Sequence, residues 1–111
     1  MQIVRDVAQG LRFLHSSKPA IMHGDLKAKN ILIDARFRAK VADFGLATRT
    51  RKNGISGTPF WMAPEYLRGK TEYTTSCDIY SFGAPKNTCC YTGCMYACLS
   101  YNCFFLNSTC F

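Results

Sequence analysis

All of the chain's charge lies in its first 86 residues. The 14 Lys and Arg and 7 Asp and Glu run from Arg5 to Lys86, and residues 87–111 hold none. Six of the seven cysteines (Cys89, Cys90, Cys94, Cys98, Cys103 and Cys110) sit in that uncharged end. The two parts pose different folding problems, and Gly83-Ala84-Pro85-Lys86 marks the boundary by interrupting any regular element. A length of 111 residues allows one small domain or a piece of a larger one. At 48% hydrophobic the chain is too apolar to be a disordered tail. No run of eighteen apolar residues exists, so no membrane span is expected. Residues 1–10 contain Arg5 and Asp6 and no apolar core, so no signal peptide is expected. The net charge of +7 suits an anionic partner. The basic residues are scattered rather than clustered, however, and nucleic-acid binding is not expected.

Within residues 1–83, Ile3, Val7, Leu11 and Leu14 recur at helical spacing, with Arg5, Gln9 and Arg12 on other faces. The pattern predicts an amphipathic helix over 2–16, ending before Ser16-Ser17-Lys18-Pro19. Residues 20–30 read as loop. Ile31-Leu32-Ile33 and Lys40-Val41-Ala42 are short apolar runs joined by the polar stretch 34–39, which predicts a hairpin. Residues 43–64 carry glycines 45, 54 and 57 and prolines 59 and 64, and read as a long irregular segment of the kind that is usually functional. Short helices are predicted around Tyr66-Leu67 and from Ser76 to Phe82. The fold class is therefore α+β, a mainly helical body with one small β-hairpin.

The polar residues flank that hairpin. His23-Gly24-Asp25-Leu26-Lys27-Ala28-Lys29-Asn30 enters it and Asp43-Phe44-Gly45 leaves it. A tight hairpin brings its ends together, so Asp25, Asn30 and Asp43 are expected to converge. Two carboxylates and an amide oxygen are hard ligands that suit Mg²⁺ rather than zinc, and Lys27 adds a positive charge for a transferring phosphoryl group. Taken singly, Asp25, Asn30 and Asp43 read better as turn caps.

As an ordered set these motifs resemble the protein kinases. His23-Gly24-Asp25-Leu26-Lys27-x-x-Asn30 is similar to the kinase catalytic loop and Asp43-Phe44-Gly45 to its metal-binding motif. Gly57-Thr58-Pro59-Phe60-Trp61-Met62-Ala63-Pro64-Glu65 resembles the end of the activation segment, and Asp78-Ile79-Tyr80-Ser81-Phe82-Gly83 the start of helix F. The resemblance implies ATP and Mg²⁺ as cofactors and a protein substrate phosphorylated on Ser or Thr. It implies Asp25 as the catalytic base, Lys27 on the γ-phosphate, and Asn30 and Asp43 on the metal. Thr58 would bond with the catalytic loop, Pro59 to Met62 would shape the peptide surface, and Asp78 would anchor the loop from below. His23 would pack beneath the loop, and Cys77 reads as a small buried hydrophobe. The wording of residues 57–65 and 78–83 is most similar to the tyrosine-kinase-like group. A cytoplasmic location follows from the same resemblance.

Two departures from the family pattern carry expectations. Gly24 stands where many kinases have an Arg that pairs with a phosphorylated activation segment, so that pairing is not expected here. Thr48, Thr50 and Ser56 are candidate phosphosites that would need another partner, and Arg49, Arg51 and Lys52 read as a solvated loop face. No Gly-x-Gly-x-x-Gly occurs, and residue 1 falls where the family's helix E begins. The expected organisation is thus a partial kinase domain over 1–83, a C-terminal-lobe fragment without the N-terminal lobe, followed by a tail over 84–111. The chain alone is expected to be a poor catalyst, the alternative being a non-catalytic fragment, inert or binding a partner. For the tail, a disulfide framework, a zinc site and a membrane-seeking stretch are weaker readings. The preferred reading is sequence translated from an intron or a shifted frame at the edge of a gene model.

Overall fold

The computed structural model describes residues 2–48, 54–69 and 72–84. The cysteine-rich tail and the basic group Arg49, Arg51 and Lys52 lie outside the described residues, as does Thr50. Helix α1 spans Gln2–His15, strands β1 and β2 span Ile31–Ile33 and Ala39–Val41, and helices α2 and α3 span Pro64–Leu67 and Thr75–Gly83. Single 3₁₀ turns lie at Ala28–Asn30, Phe44–Leu46 and Pro59–Trp61. The described residues are thus a mixed α+β arrangement of three helices and one two-stranded antiparallel sheet. No helix among them is long and apolar enough to cross a membrane.

The predicted stripe is the buried face of α1: Ile3, Val7, Leu11 and Leu14 are all buried. Ile3 and Val7 cluster with Ala39, while Val4, Ile31, Ile33, Val41 and Phe82 close over them. Each aliphatic side chain fully buried this way contributes roughly 1.5–3 kcal/mol. Gly10, costly inside a helix, has a packing reason. A Cβ there would stand 3.1 Å from Cγ2 of Val41, so the glycine lets the hairpin lie against the helix.

The hairpin pairs Ile31 with Val41, Leu32 with Lys40 and Ile33 with Ala39. Its second strand begins one residue earlier than the expected Lys40–Ala42. Ala39 is buried against α1, and Ala42 instead donates to the carbonyl of Asn30 at 2.8 Å, continuing the ladder past the strand end. Asp34 closes the turn by accepting from the amides of Arg36 (2.9 Å) and Arg38 (3.0 Å). The Arg38 amide bond, with that from Arg36, holds the Asp34 carboxyl below its usual range.

Asp6 was not singled out by its sequence, yet it lies one helical turn after Ile3 on the buried face. Its carboxylate accepts from Arg38 Nε (2.8 Å) and a second guanidinium nitrogen (3.0 Å), from the Ala39 amide (3.0 Å) and from Gln2 Nε2 (2.6 Å). Helix and hairpin are therefore joined by a bidentate ion pair as well as by apolar contact. The Arg38 bond, then the Ala39 amide, hold the Asp6 carboxyl far below the carboxylate range. A group whose pKa is depressed on folding adds stability above its unfolded value, near 4, and loses it as pH falls through the folded value. Asp6→Asn should therefore lower the urea midpoint at pH 7, and the gap from wild type should narrow as pH falls below about 4. A gap of constant width would show that the charge is not what joins the two elements.

A second cluster joins Met22, Met62, Ala63, Tyr66, Tyr73 and Cys77. Cys77 is buried as expected, and the rings of Tyr66 and Tyr73 meet edge-on at 5.0 Å. Helix α2 starts on Pro64, which supplies helical φ without needing a backbone partner. Residues 20–30 were expected to be loop throughout, but Met22 and Thr48 form an antiparallel bridge with paired bonds of 2.8 and 3.0 Å. The segment after the hairpin is thereby tied to the one before it.

Candidate active site

The foundation of the site is Asp78 in the first turn of α3, with 0% exposure. One carboxylate oxygen, Oδ2, accepts from the His23 amide (2.8 Å) and His15 Nε2 (2.8 Å). The other, Oδ1, accepts from the Gly24 amide (3.0 Å) and the Tyr73 hydroxyl (2.6 Å). All the acceptor positions of a buried carboxylate are filled, the condition under which such a group is tolerated. Burial, then the negative charge of Asp78, push the Tyr73 hydroxyl far above the usual phenol range. With two successive amides held by one carboxylate, Gly24 takes φ 84°, a conformation that favours glycine.

His23 is fully buried and bridges two segments. Its Nδ1 accepts from the Asp25 amide at 3.3 Å and its Nε2 donates to the carbonyl of Ala42 at 2.9 Å. This pattern assigns the ring proton to Nε2. The ring lies 5.4 Å from that of Phe44. His23 is thus a packing residue, as its sequence position suggested.

On this base stand the candidate catalytic residues. Asp25 Oδ2 accepts from Lys27 Nζ at 2.7 Å, and Asp25 Oδ1 accepts from the Thr58 hydroxyl at 2.6 Å. Lys27 Nζ also donates to Thr58 Oγ1 at 2.7 Å, closing a triangle. Burial raises the Asp25 pKa, but the bonds from Lys27 and Thr58 together outweigh it and hold the carboxyl below its usual range. Asn30 is buried, and its amide nitrogen donates to the Asp25 carbonyl at 2.8 Å, which fixes the side chain and leaves its oxygen as an acceptor. The structure therefore brings Asp25, Lys27, Asn30 and Thr58 into one network.

Asp43 is placed differently. Its backbone adopts φ 60° and its Oδ1 accepts from the Gly45 amide at 3.4 Å. The bond from the preceding residue, Ala42, to the Asn30 carbonyl ties its segment to Asn30. The side chain is exposed, and among the described residues no hydrogen bond joins it to Asp25, Lys27 or Asn30. No cluster of three His, Cys, Asp or Glu side chains occurs among the described residues, so a metal here would rest on the Asn30 amide and Asp43 carboxylate oxygens. That donor set suits a hard cation. Beneath the neighbouring segment, Ser81 Oγ lies 2.6 Å from the Trp61 carbonyl and 3.0 Å from that of Cys77, so α3 supports residues 59–62 as well as residues 23 and 24.

A sequence profile of the protein kinase domain matches residues 1–95. The chain belongs to the protein kinase family. Among curated kinases it is similar to the dual specificity protein kinase shkA of Dictyostelium discoideum, 43% identical over 91 residues that cover 75% of this chain and 17% of that protein. It is similar to the probable serine/threonine-protein kinase drkB of the same organism, 47% identical over 81 residues, 70% of this chain and 12% of the relative. The serine/threonine-protein kinase CTR1 of Arabidopsis thaliana is 43% identical over 88 residues, 75% of this chain and 11% of its own. The kinase chain thus spans less than a fifth of the length of these relatives.

Three members of the network were not legible as such in the kinase chain's sequence: His15, Tyr73 and Gly57. His15 falls inside the predicted helix 2–16 and Tyr73 between the two predicted short helices, and neither position signals a bond to Asp78. Gly57 was read as part of a motif, but its close approach to Gly24, described below, has no sequence signal beyond the glycine itself.

Proposed function

We propose that residues 1–83 are the C-terminal-lobe part of a Ser/Thr protein kinase domain, most similar to the tyrosine-kinase-like group, and that residues 84–111 are a tail outside it. The observation that carries this reading is the Asp25–Lys27–Thr58 triangle held on the buried Asp78. Asp25, kept ionised at neutral pH, orients the substrate hydroxyl and accepts its proton. Lys27 supplies the positive charge that meets the transferring phosphoryl group. Thr58 holds both in register, and the backbone of 59–62 forms the floor on which a peptide lies. The Asn30 oxygen, left over from its amide's bond to Asp25, and the exposed Asp43 carboxylate fit Mg²⁺, which when bound neutralises charge on the phosphates of ATP. Phe13 at 75% exposure and Phe60 at 73% favour a larger domain around these residues.

The test is phosphoryl transfer from labelled ATP by the full-length protein. Labelling of peptides at Ser and Thr with Mg²⁺ present is expected. Asp43→Ala should raise the Mg²⁺ needed for half-maximal rate at least about tenfold, as loss of a charged ligand does. Absence of transfer by the full-length protein with either Mg²⁺ or Mn²⁺ would overturn the reading and leave the non-catalytic alternative.

A further inference from the structure

Tyr66 lies in α2 with 2% exposure, its ring fixed edge-on against Tyr73. Its hydroxyl is used twice: it donates to the Gly54 carbonyl at 2.7 Å and accepts from the Ser56 amide at 3.1 Å. The next residue, Gly57, has φ 120°, and a Cβ there would come within 2.9 Å of the Gly24 carbonyl and 3.0 Å of Met62 Cε. The backbone thus presses on the catalytic loop immediately before Thr58, whose hydroxyl meets Asp25 and Lys27. A buried hydroxyl, two anchored residues and one close backbone approach thus lead from Tyr66 to Thr58 and, through its hydroxyl, to the Asp25 carboxylate. Gly24, meanwhile, has no side chain with which to hold a phosphorylated segment by charge.

We propose that Tyr66 is a positioning residue for phosphoryl transfer. Its hydroxyl clamps residues 54–56 and so presents Thr58 to Asp25 and Lys27 with no phosphate on the segment. This rests on the kinase reading above and goes beyond it by naming what orders the segment in place of the missing Arg. The arrangement is economical in physical terms. The ring is already locked by packing, so its hydroxyl is aimed before the segment arrives, and both its donor and its acceptor capacity are matched.

Tyr66→Phe in the full-length protein removes the hydroxyl and keeps the buried ring. Amide exchange at Ser56 should accelerate at least about tenfold, with α1 and the hairpin unchanged. The turnover number should fall roughly tenfold with the KM for ATP within about twofold, the pattern expected when an interaction acts on the transfer step and not on nucleotide binding. In a Thr58→Val background the same substitution should cost nothing further, since residues acting through one another are not additive. Unchanged exchange at Ser56, unchanged turnover, or additive losses in the double variant each overturn the proposal. An active wild type with a neutral Tyr66→Phe sinks this inference alone. An inactive wild type sinks the kinase reading, and the positioning role with it.

Discussion

On the function proposed above, replacing Asp25 with Asn should lower the turnover number of the full-length protein by about 10²–10⁴-fold, the range expected for loss of a general base. The KM for ATP should change little. The substitution keeps the shape of the side chain but removes its charge. The Thr58 hydroxyl can go on donating to the remaining oxygen, or reverse and accept from the new amide. Lys27 can only donate, so it keeps one partner in Thr58 and loses the carboxylate's attraction. The local fold has no reason to collapse, because the anchoring amides of residues 23 and 24 are held by Asp78 rather than by Asp25. A thermal midpoint close to wild type beside a large loss of turnover is therefore the expected pair of results. Near-normal turnover would remove Asp25 from the chemistry and reduce its contacts to a turn.

The same substitution separates Asp25 from its neighbour Lys27. Burial alone would raise the Asp25 pKa, and the bonds from Lys27 and Thr58 reverse that. The carboxylate stays charged through the neutral range, so an acid limb due to Asp25 should fall below its ordinary value near 4. It accepts a proton weakly as a free base, which fits a group whose main contribution is orientation of a hydroxyl that becomes acidic only as its oxygen is phosphorylated.

How much of this was legible in the sequence depends on how local the signal was. The α1 stripe and the hairpin were readable because their periods of 3.6 and 2 are properties of neighbouring residues. The strand boundary slipped by one because Ala39 is buried by α1, a contact with no trace in residues 34–42. Asp25, Lys27 and Asn30 were identifiable from spacing, and the structure joins them. Asp43 was expected to converge with them, and the bond from Ala42 does tie its segment to Asn30. Its side chain, however, turns to Gly45, because φ 60° lets a short acidic residue satisfy its own turn. Asp6 looked like an ordinary charge on a helix. Its partners Arg38 and Ala39 lie more than thirty residues away, and only the fold shows that its position is on the buried side.

Asp78→Ala should be the most destabilising single change in the described residues, lowering stability by about 3–5 kcal/mol as expected for one partner removed from a buried charged network. Four donors lose their acceptor at once: the His23 and Gly24 amides, the Tyr73 hydroxyl and His15 Nε2. Each buried donor left unsatisfied costs roughly 1–3 kcal/mol, less where water enters. Asp78→Asn tests the same point with no cavity. Its single oxygen can serve only one of the two donor pairs, and its amide hydrogens would face the other. Cys77→Ala, next door and equally buried, is the control for lost packing alone and should cost about 1 kcal/mol. Urea unfolding of the full-length protein, with all three variants beside wild type, gives the comparison. The second consequence is kinetic: the Gly24 conformation at φ 84° is held by its amide's bond to Asp78, so Asp78→Asn should lose turnover even at temperatures where it remains folded. Equal costs for Cys77→Ala and Asp78→Ala would mean that the carboxylate fills space and holds nothing, and that residues 23–25 take their shape from other contacts.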